Sequence, residues 1–438
     1  MASSEFSPAV CKAVEERASQ LWELSKYIWS NPELAYQEVK AHDRMTGFLE
    51  EMGFKVQRKY LLDTAFRAEA LAPGGKDGPT VCLMAEYDAL PGIGHGCGHN
   101  LIAEAAMGAC SGRHRGYEKV RHRPGQEWPT CLHVQRACMS NEPACPTSLH
   151  VQRACMSNEP LVVLGTPAEE GAGGKVLLLE KGAFKDVDAA LMAHPGCQDA
   201  LKVHFNARRQ VKVRYEGKAV HASHSPWNGV NAQDAAVAAY INLSLVRQHT
   251  NPAAKVLGVV EQFGAQANVI SESSNLIYHI RAPDGAQKDS LVARAEKGFQ
   301  AAAKATGCGI DLELGMEYNE VIHNDALTET YRKHGEALGA VFADANPGVD
   351  LRTGGSTDAG NVSYVLPTLH PIFDIGAWVM PHTNAFAEAA GAEAAHRAVL
   401  RVAKALALTA LDLMSDPALM TRVRSDFAAW KVTHVPSK

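Results

Sequence analysis

Short apolar runs that end abruptly in glycine, proline or histidine set the rhythm of the first half of the chain. Residues 80–86 lie between Gly78-Pro79 and Pro91-Gly92. Residues 161–164 end at Gly165-Thr166-Pro167, and residues 189–193 end at His194-Pro195. Runs of this length with such boundaries predict buried strands. Helical spacing covers residues 11–52, with a break at Asn31-Pro32 where proline suits a helix start. It returns over residues 101–110. Strands separated by helices predict an α/β sheet domain. In such sheets the polar residues just past the strand ends form the site, and each candidate cluster below falls there.

The middle third changes period. Residues 201–216 alternate like a half-buried strand, 231–246 and 287–306 have helical spacing, and 256–263 and 276–280 read as strands. This predicts a smaller α+β unit. Residues 325–338 and an amphipathic helix over 392–414 then read as a return to the first domain. A chain of 438 residues exceeds what one core supports. The expectation is therefore a two-domain fold: an α/β sheet domain from 1–208 and 323–438, with an inserted smaller α+β domain at 209–322.

One segment breaks the pattern. LHVQRACMSNEP occupies 132–143 and recurs unchanged at 149–160. A single tandem copy does not make a solenoid, which needs three or more repeats. Residues 111–160 have no clear period and hold Cys131, Cys138, Cys145 and Cys155. They read as a disordered insertion, or as sequence not normally translated, rather than as a Cys/His metal loop. A loop of this length is unusual inside a compact domain.

Composition narrows the function. Hydrophobic residues make up 46% and charged residues 21%, ordinary for a globular protein. Net charge is −5, which argues against a basic nucleic-acid face. The pattern contains no apolar run of about 18 residues to span a membrane, and the N-terminus does not read as a signal peptide. Ten cysteines without a CxxC pair give no disulfide framework, so a cytoplasmic or nuclear setting is expected. Nineteen histidines, several beside acids and glycines, direct attention to metal sites.

The densest cluster is EYDALPGIGHGCGHN, residues 86–100. Cys97 and His99 stand two apart in a glycine-rich turn, and thiolate and imidazole both ligate zinc-like ions. Asp88 can orient a ligand imidazole. Glu169-Glu170 follows the second strand and His194 the third. Each cluster alone has a plain reading: a buried cysteine beside a satisfied histidine, a solvated acid pair, a strand-end histidine. Together at the ends of one sheet they point to a metal centre, because adjacent buried carboxylates need a cation or protons. Gly92, Gly94 and Gly96 are spaced wrongly for GxGxxG, GGSTD lacks the closing glycine of GxSxG, and no HExxH is present.

EYDALPGIGHGCGHN, GTPAEEGAGGK and MAHP resemble the M20 metallopeptidases, in the amidohydrolase branch where CGH replaces an aspartate ligand. The resemblance extends to Asn31-Pro32-Glu33-Leu34 with Glu38, to Gly217–His221 with Gly229–Ala232, to Asn268-Val269-Ile270 and Arg281, and to Gly354–Asp358 and His382. It spans nearly everything outside residues 111–160. It implies that Cys97, His99, Glu170, His194 and His382 hold two divalent ions, zinc first, with manganese or cobalt compatible. It implies that Glu169 is the general base, that Asp88 orients a ligand, and that His221 stabilises the oxyanion, reaching a partner subunit's site. It assigns Asn268 and Arg281 to the substrate carboxylate, and a homodimer to the inserted domain. The implied reaction is hydrolysis of small dipeptides ending in a basic residue, such as β-alanyl-lysine. N-acyl amino acid hydrolysis on the same fold, and a non-catalytic dimeric scaffold disabled by the insertion, stay open as alternatives. Asn100 and Ser271 depart from the branch, which has aspartate and proline there. The branch also implies a longer helix after His99 than the pattern allows before the insertion. Losing its second half would cost several kcal/mol.

Overall fold

The computed structural model describes residues 3–70, 78–121, 161–264, 266–345 and 354–434. In chain order its strands are β1 (Lys55–Arg58), β2 (Phe66–Glu69), β3 (Val81–Ala85), β4 (Leu161–Gly165), β5 (Ala189–Leu191) and β6 (His194–Gly196). They continue as β7 (Ala207–Glu216), β8 (Lys255–Gln262), β9 (Ser273–Ala282), β10 (Gly309–Tyr318), β11 (Thr368–Leu369) and β12 (Ile372–Asp374). One sheet has the order β1-β2-β4-β3-β5-β11, in which β4, β3, β5 and β11 run parallel and β1 and β2 form an antiparallel edge. A second, antiparallel sheet has the order β10-β7-β9-β8. β6 and β12 form a short parallel pair.

The first sheet is buried on both faces, so its strands are continuous apolar runs rather than alternating ones. Alternate residues of β3 still divide between two cores. Val81, Leu83 and Ala85 pack with Leu21, Met107 and Leu406 from the helices Ala18–Ser30, His99–Arg121 and Glu393–Ser415. Cys82 and Met84 join Val162, Leu164, Leu178 and Val362 on the opposite face. One face of the second sheet is covered by the helices Ala232–Val246 and Gly285–Thr306 around Phe299 and Tyr215. Among the described residues, no helix is long and apolar enough to cross a membrane.

Two expectations need correction. The helix after His99 does not stop at Cys110 but runs from His99 to Arg121. Past Cys110, the Ser111 hydroxyl donates back to the Met107 carbonyl at 2.8 Å, and Gly112 lies against Val10 and Ala407. The tandem copies at 132–143 and 149–160 lie outside the described residues. Pro32 does not start a helix: the chain resumes helix only at Val39–Glu51, where the Glu33 carboxylate accepts from the N–H groups of Lys40 and Ala41 at 2.9 and 3.0 Å. The pattern also gave no sign of β1, β2, β10 or the helix Pro417–His434. β1 is mostly exposed and reads KVQR, too short and polar for periodicity to register.

Close contact between His99–Arg121 and Glu393–Ser415 supports the loop that precedes the first of them. A Cβ at Gly108 would stand 2.7 Å from Cβ of Ala403. Gly108→Val is therefore expected to lower the unfolding free energy by about 1–3 kcal/mol through overpacking. Denaturant titration checks this, and an unchanged midpoint would refute the close approach.

Candidate metal centre

The carboxyl end of β3 runs directly into three fully buried residues, Glu86, Tyr87 and Asp88. The loop beyond returns at Cys97-Gly98-His99, and Gly98 makes that tight turn possible. Its φ is +76°, and a Cβ there would meet Pro195 Cγ at 2.7 Å. His99 then opens the long helix. Its Nδ1–H donates to Asp88 Oδ1 at 3.0 Å, which leaves Nε2 bare and aimed inward. The other oxygen of Asp88 accepts from the Glu170 N–H at 2.9 Å, so one carboxylate ties two loops together.

The loop after β4 carries the acid pair. Ala168 holds φ 61°, a left-handed conformation that a non-glycine residue keeps only when its surroundings impose it. Here the imposing group is Glu38, whose Oε1 accepts from the Ala168 N–H at 2.9 Å. Tyr318 donates its hydroxyl to the Glu169 carbonyl at 2.6 Å and holds the loop from the second sheet. His194, at the start of β6, donates Nδ1–H to the Pro195 carbonyl at 2.8 Å, and its Nε2 lies 3.5 Å from Cys97 Sγ. His382 also has a left-handed φ, 66°, with its N–H on the Gly96 carbonyl at 2.7 Å. Its Nε2 stands 3.3 Å from Glu170 Oε1.

Three overlapping groups result: Cys97, His99 and His194; Cys97, Glu170 and His382; and His99, Glu169 and Glu170. In each, the donor atoms lie within 4.8 Å of one another. Burial sets several of these groups against their charged forms. Burial and the charge of Glu170 push the Cys97 thiol well up, and burial with the charges of Glu170 and Glu86 does the same to the Glu169 carboxyl. Burial also opposes ionisation of Glu170, but His382 beside it and the field of His99 outweigh that and hold it below its usual value. Burial keeps His194 down at about 4, hence neutral, the form that ligates. His99 Nε2 and Glu170 Oε1 are buried without a hydrogen-bond partner. Bare donors, a thiol and opposing carboxylates in one pocket fit divalent cations, whose charge reverses each of these penalties.

Sequence reasoning missed several residues around this centre. Lys175 is fully buried, with Nζ 2.5 Å from both Glu86 Oε1 and Asp358 Oδ1. Glu86 Oε2 in turn lies 3.4 Å from His99 Nε2. The signal was present as a lysine at the end of an otherwise small-residue GAGGK stretch. Glu38 and Tyr318 carry no such local sign. Arg281 lies within the electrostatic reach of Glu169 and Glu170. His221 and Asn268 are not gathered with the donors. They lie on the exposed side of the second unit, where a bridge joins His221 to Val269 and the Asn268 carbonyl accepts from the Ala222 N–H at 2.9 Å.

Glu38 gives this framework a pH dependence. Burial, then the negative charge of Asp88, pushes its carboxyl from 4.5 up to about 7. Between those values the folded state binds more protons than the unfolded chain. Its contribution is therefore full below 4.5 and is lost as pH rises through 7. Relative to Glu38→Gln, the native protein is expected to lose roughly 2–3 kcal/mol of stability between pH 4.5 and 8. Parallel stability curves for the two proteins would contradict this.

Comparison with known proteins agrees with this architecture. Residues 207–307 match the family model of a peptidase dimerisation domain. The chain is 42% identical to the Xaa-Arg dipeptidase of Mus musculus over 94% of its own length and 90% of that protein. It is 41% identical to the Xaa-Arg dipeptidase of Homo sapiens over 95% and 90% of the two chains. Its fold is shared with a dinuclear metal binding peptidase from the M20 family of Bacillus subtilis. That match has a TM-score of 0.62 at 18% identity and covers 91% of this chain and 99% of that one. Identity at this level over nearly the whole of both chains, together with the dimerisation domain, makes this chain a member of the M20 peptidase family.

Proposed function

We propose that this protein is a metal-dependent dipeptidase that cleaves small dipeptides with a basic C-terminal residue. The observation that carries the reading is the convergence of Cys97, His99, Glu170, His194 and His382 around Glu169. The basic C-terminal residue follows from relatives named Xaa-Arg dipeptidase. Two divalent ions would be held by Cys97, His99 and His194 and by Glu170 and His382, with Cys97 able to serve both. A thiolate with three imidazoles favours zinc. Such ions polarise the scissile carbonyl and acidify water.

The protein's own groups supply the rest. Glu169 takes a proton from the attacking water and passes it to the leaving nitrogen. Asp88 keeps the His99 ring in one tautomer and orientation. Arg281 and Asn268 serve the substrate carboxylate, and His221 the oxyanion. The exposure of His221 and Asn268 on the second unit supports action on a partner subunit's site.

The unit at 209–322 is the proposed lid and dimer contact. Val237, Tyr240, Ile241 and Leu245 form an exposed apolar stripe on the helix Ala232–Val246, and Leu257 and Val259 are exposed on the edge strand β8. An unpaired apolar edge beside an apolar helix face suits a second copy. Ile241→Glu is expected to yield monomers by analytical ultracentrifugation, and a variant that still sediments as a dimer would exclude this face.

Elemental analysis of the dialysed protein is expected to give two divalent ions per chain, with turnover of β-alanyl-lysine and alanyl-arginine. Glu169→Gln should lower kcat by roughly 10²–10⁴-fold while keeping the metal content. Full activity in Glu169→Gln, or no metal uptake after zinc addition, would overturn the reading.

A further inference from the structure

The face of the second sheet that turns away from its helices carries an adjacent pair of cations that no carboxylate contacts among the described residues. Alternation along β7 sends Val211, Val213 and Tyr215 into the core, so Arg208 and Gln210 stand on the opposite face. Along β9, Leu276, Tyr278 and Ile280 point inward, and His279 and Arg281 share the face of Arg208. The register sets Arg208 directly opposite Arg281, and Gln210 opposite His279. Like charges directly opposite on adjacent strands repel.

Water gives Arg208 little relief. Arg208 is 4% exposed and Arg281 half-buried. Among the described residues, neither guanidinium forms an ion pair with a carboxylate. Arg208 lies over the Tyr318 ring, 4.1 Å from its centroid, and donates Nη2–H to the Gly171 carbonyl at 3.4 Å. Arg281 donates Nη1–H to the Gly354 carbonyl at 2.8 Å. The Nε of each has no partner. Their neighbour Arg209 shows the contrast: its Nη1 has Glu317 at 2.5 Å. Burial and the charges of both arginines also hold His279 down at about 4, so it adds no anion and no competing cation.

A buried cation that no carboxylate contacts is disfavoured, and here Arg208 and the half-buried Arg281 stand side by side at the rim of the metal centre. Gly171, which Arg208 touches, follows Glu170 directly, and Tyr318 beneath Arg208 holds the Glu169 carbonyl. Lys255 is the next cation across the sheet, opposite Arg281, but its Nζ turns to the Pro252 carbonyl at 2.7 Å.

We infer that Arg208 joins Arg281 in a two-guanidinium anion site that takes the free carboxylate of the substrate and makes that carboxylate a requirement. The inference rests on the dipeptidase reading for its ligand, though not for the existence of an anion site. Each guanidinium presents a planar fork that matches a carboxylate, which an ammonium does not reproduce. A C-terminal amide offers no charge to the pair.

Two measurements test this separately. In the first, KM and kcat are determined for β-alanyl-lysine and its C-terminal amide with the native enzyme, Arg208→Lys and Arg208→Met. The native KM for the amide is expected to be about 10–100-fold higher than for the acid. Both variants should raise KM for the acid by a similar factor of about 10–100 and change it for the amide by less than about 3-fold. In the second, thermal unfolding without substrate is followed in sodium sulfate against sodium chloride at equal ionic strength. Sulfate should raise Tm of the native protein but not of Arg208→Lys or Arg281→Met. Loss of activity on all dipeptides with the sulfate effect intact would defeat the dipeptidase reading and keep the anion site. Equal KM changes for acid and amide, or undiminished sulfate stabilisation in Arg208→Lys, would overturn the proposal.

Discussion

The buried charge balance around Lys175 is the constraint on which the catalytic domain depends. Glu86, Asp88, Glu169, Glu170 and Asp358 converge on one pocket with little access to water. Carboxylates packed so closely either protonate or find cations. The resident cation is Lys175, fully buried and 2.5 Å from both Glu86 and Asp358. Its backbone N–H also donates to the second oxygen of Asp358 at 2.8 Å, so the starts of the helices Gly174–Glu180 and Ala359–Ser363 are fixed to each other. One ammonium does not match that much negative charge. The remainder is what makes the donor set around Cys97 and His99 suited to divalent ions rather than to a hydrophobic filling.

The loops follow from that balance. Asp88 divides its two oxygens between His99 and the Glu170 N–H, and Glu38 divides its own between the Thr64 hydroxyl and the Ala168 N–H. Each acid holds a backbone or ring in place by being satisfied twice. Two left-handed residues, Ala168 and His382, sit within this framework, where the surrounding hydrogen bonds over-determine them. The apolar sheet beneath contributes rigidity, because both faces of β3 and β4 are packed.

The second sheet has helices on one face only, and its other face carries polar and charged side chains. Its core holds itself together through Phe299, Tyr215 and Tyr278, while its open face brings Arg208 and Arg281 to the rim of the acidic pocket. Opposite signs thus lie on the two units that frame the cleft. Among the described residues, the inserted unit contributes no donor to the groups around the metal centre.

Much of this was legible in the chain. The strand ends were marked by glycine and proline, and the donor types at Cys97, His99, Glu169, Glu170 and His194 followed those ends directly, because local period and side-chain chemistry are properties of neighbouring residues. The switch to α+β alternation after residue 201 was legible for the same reason. What the chain did not reveal was compensation. Lys175 and Asp358 are 183 residues apart, and Glu38 and Ala168 are 130 apart. Arg208 differs from Arg209 only in which strand face it occupies, and so in whether Glu317 is within reach. The helix beyond Cys110 likewise continues because distant Val10 and Ala407 pack on Gly112. Sequence determined which groups were available and on which element they sit. Tertiary structure decided which charges are neutralised and which are left open, because electrostatic energy and burial depend on distances between segments that sequence order does not encode.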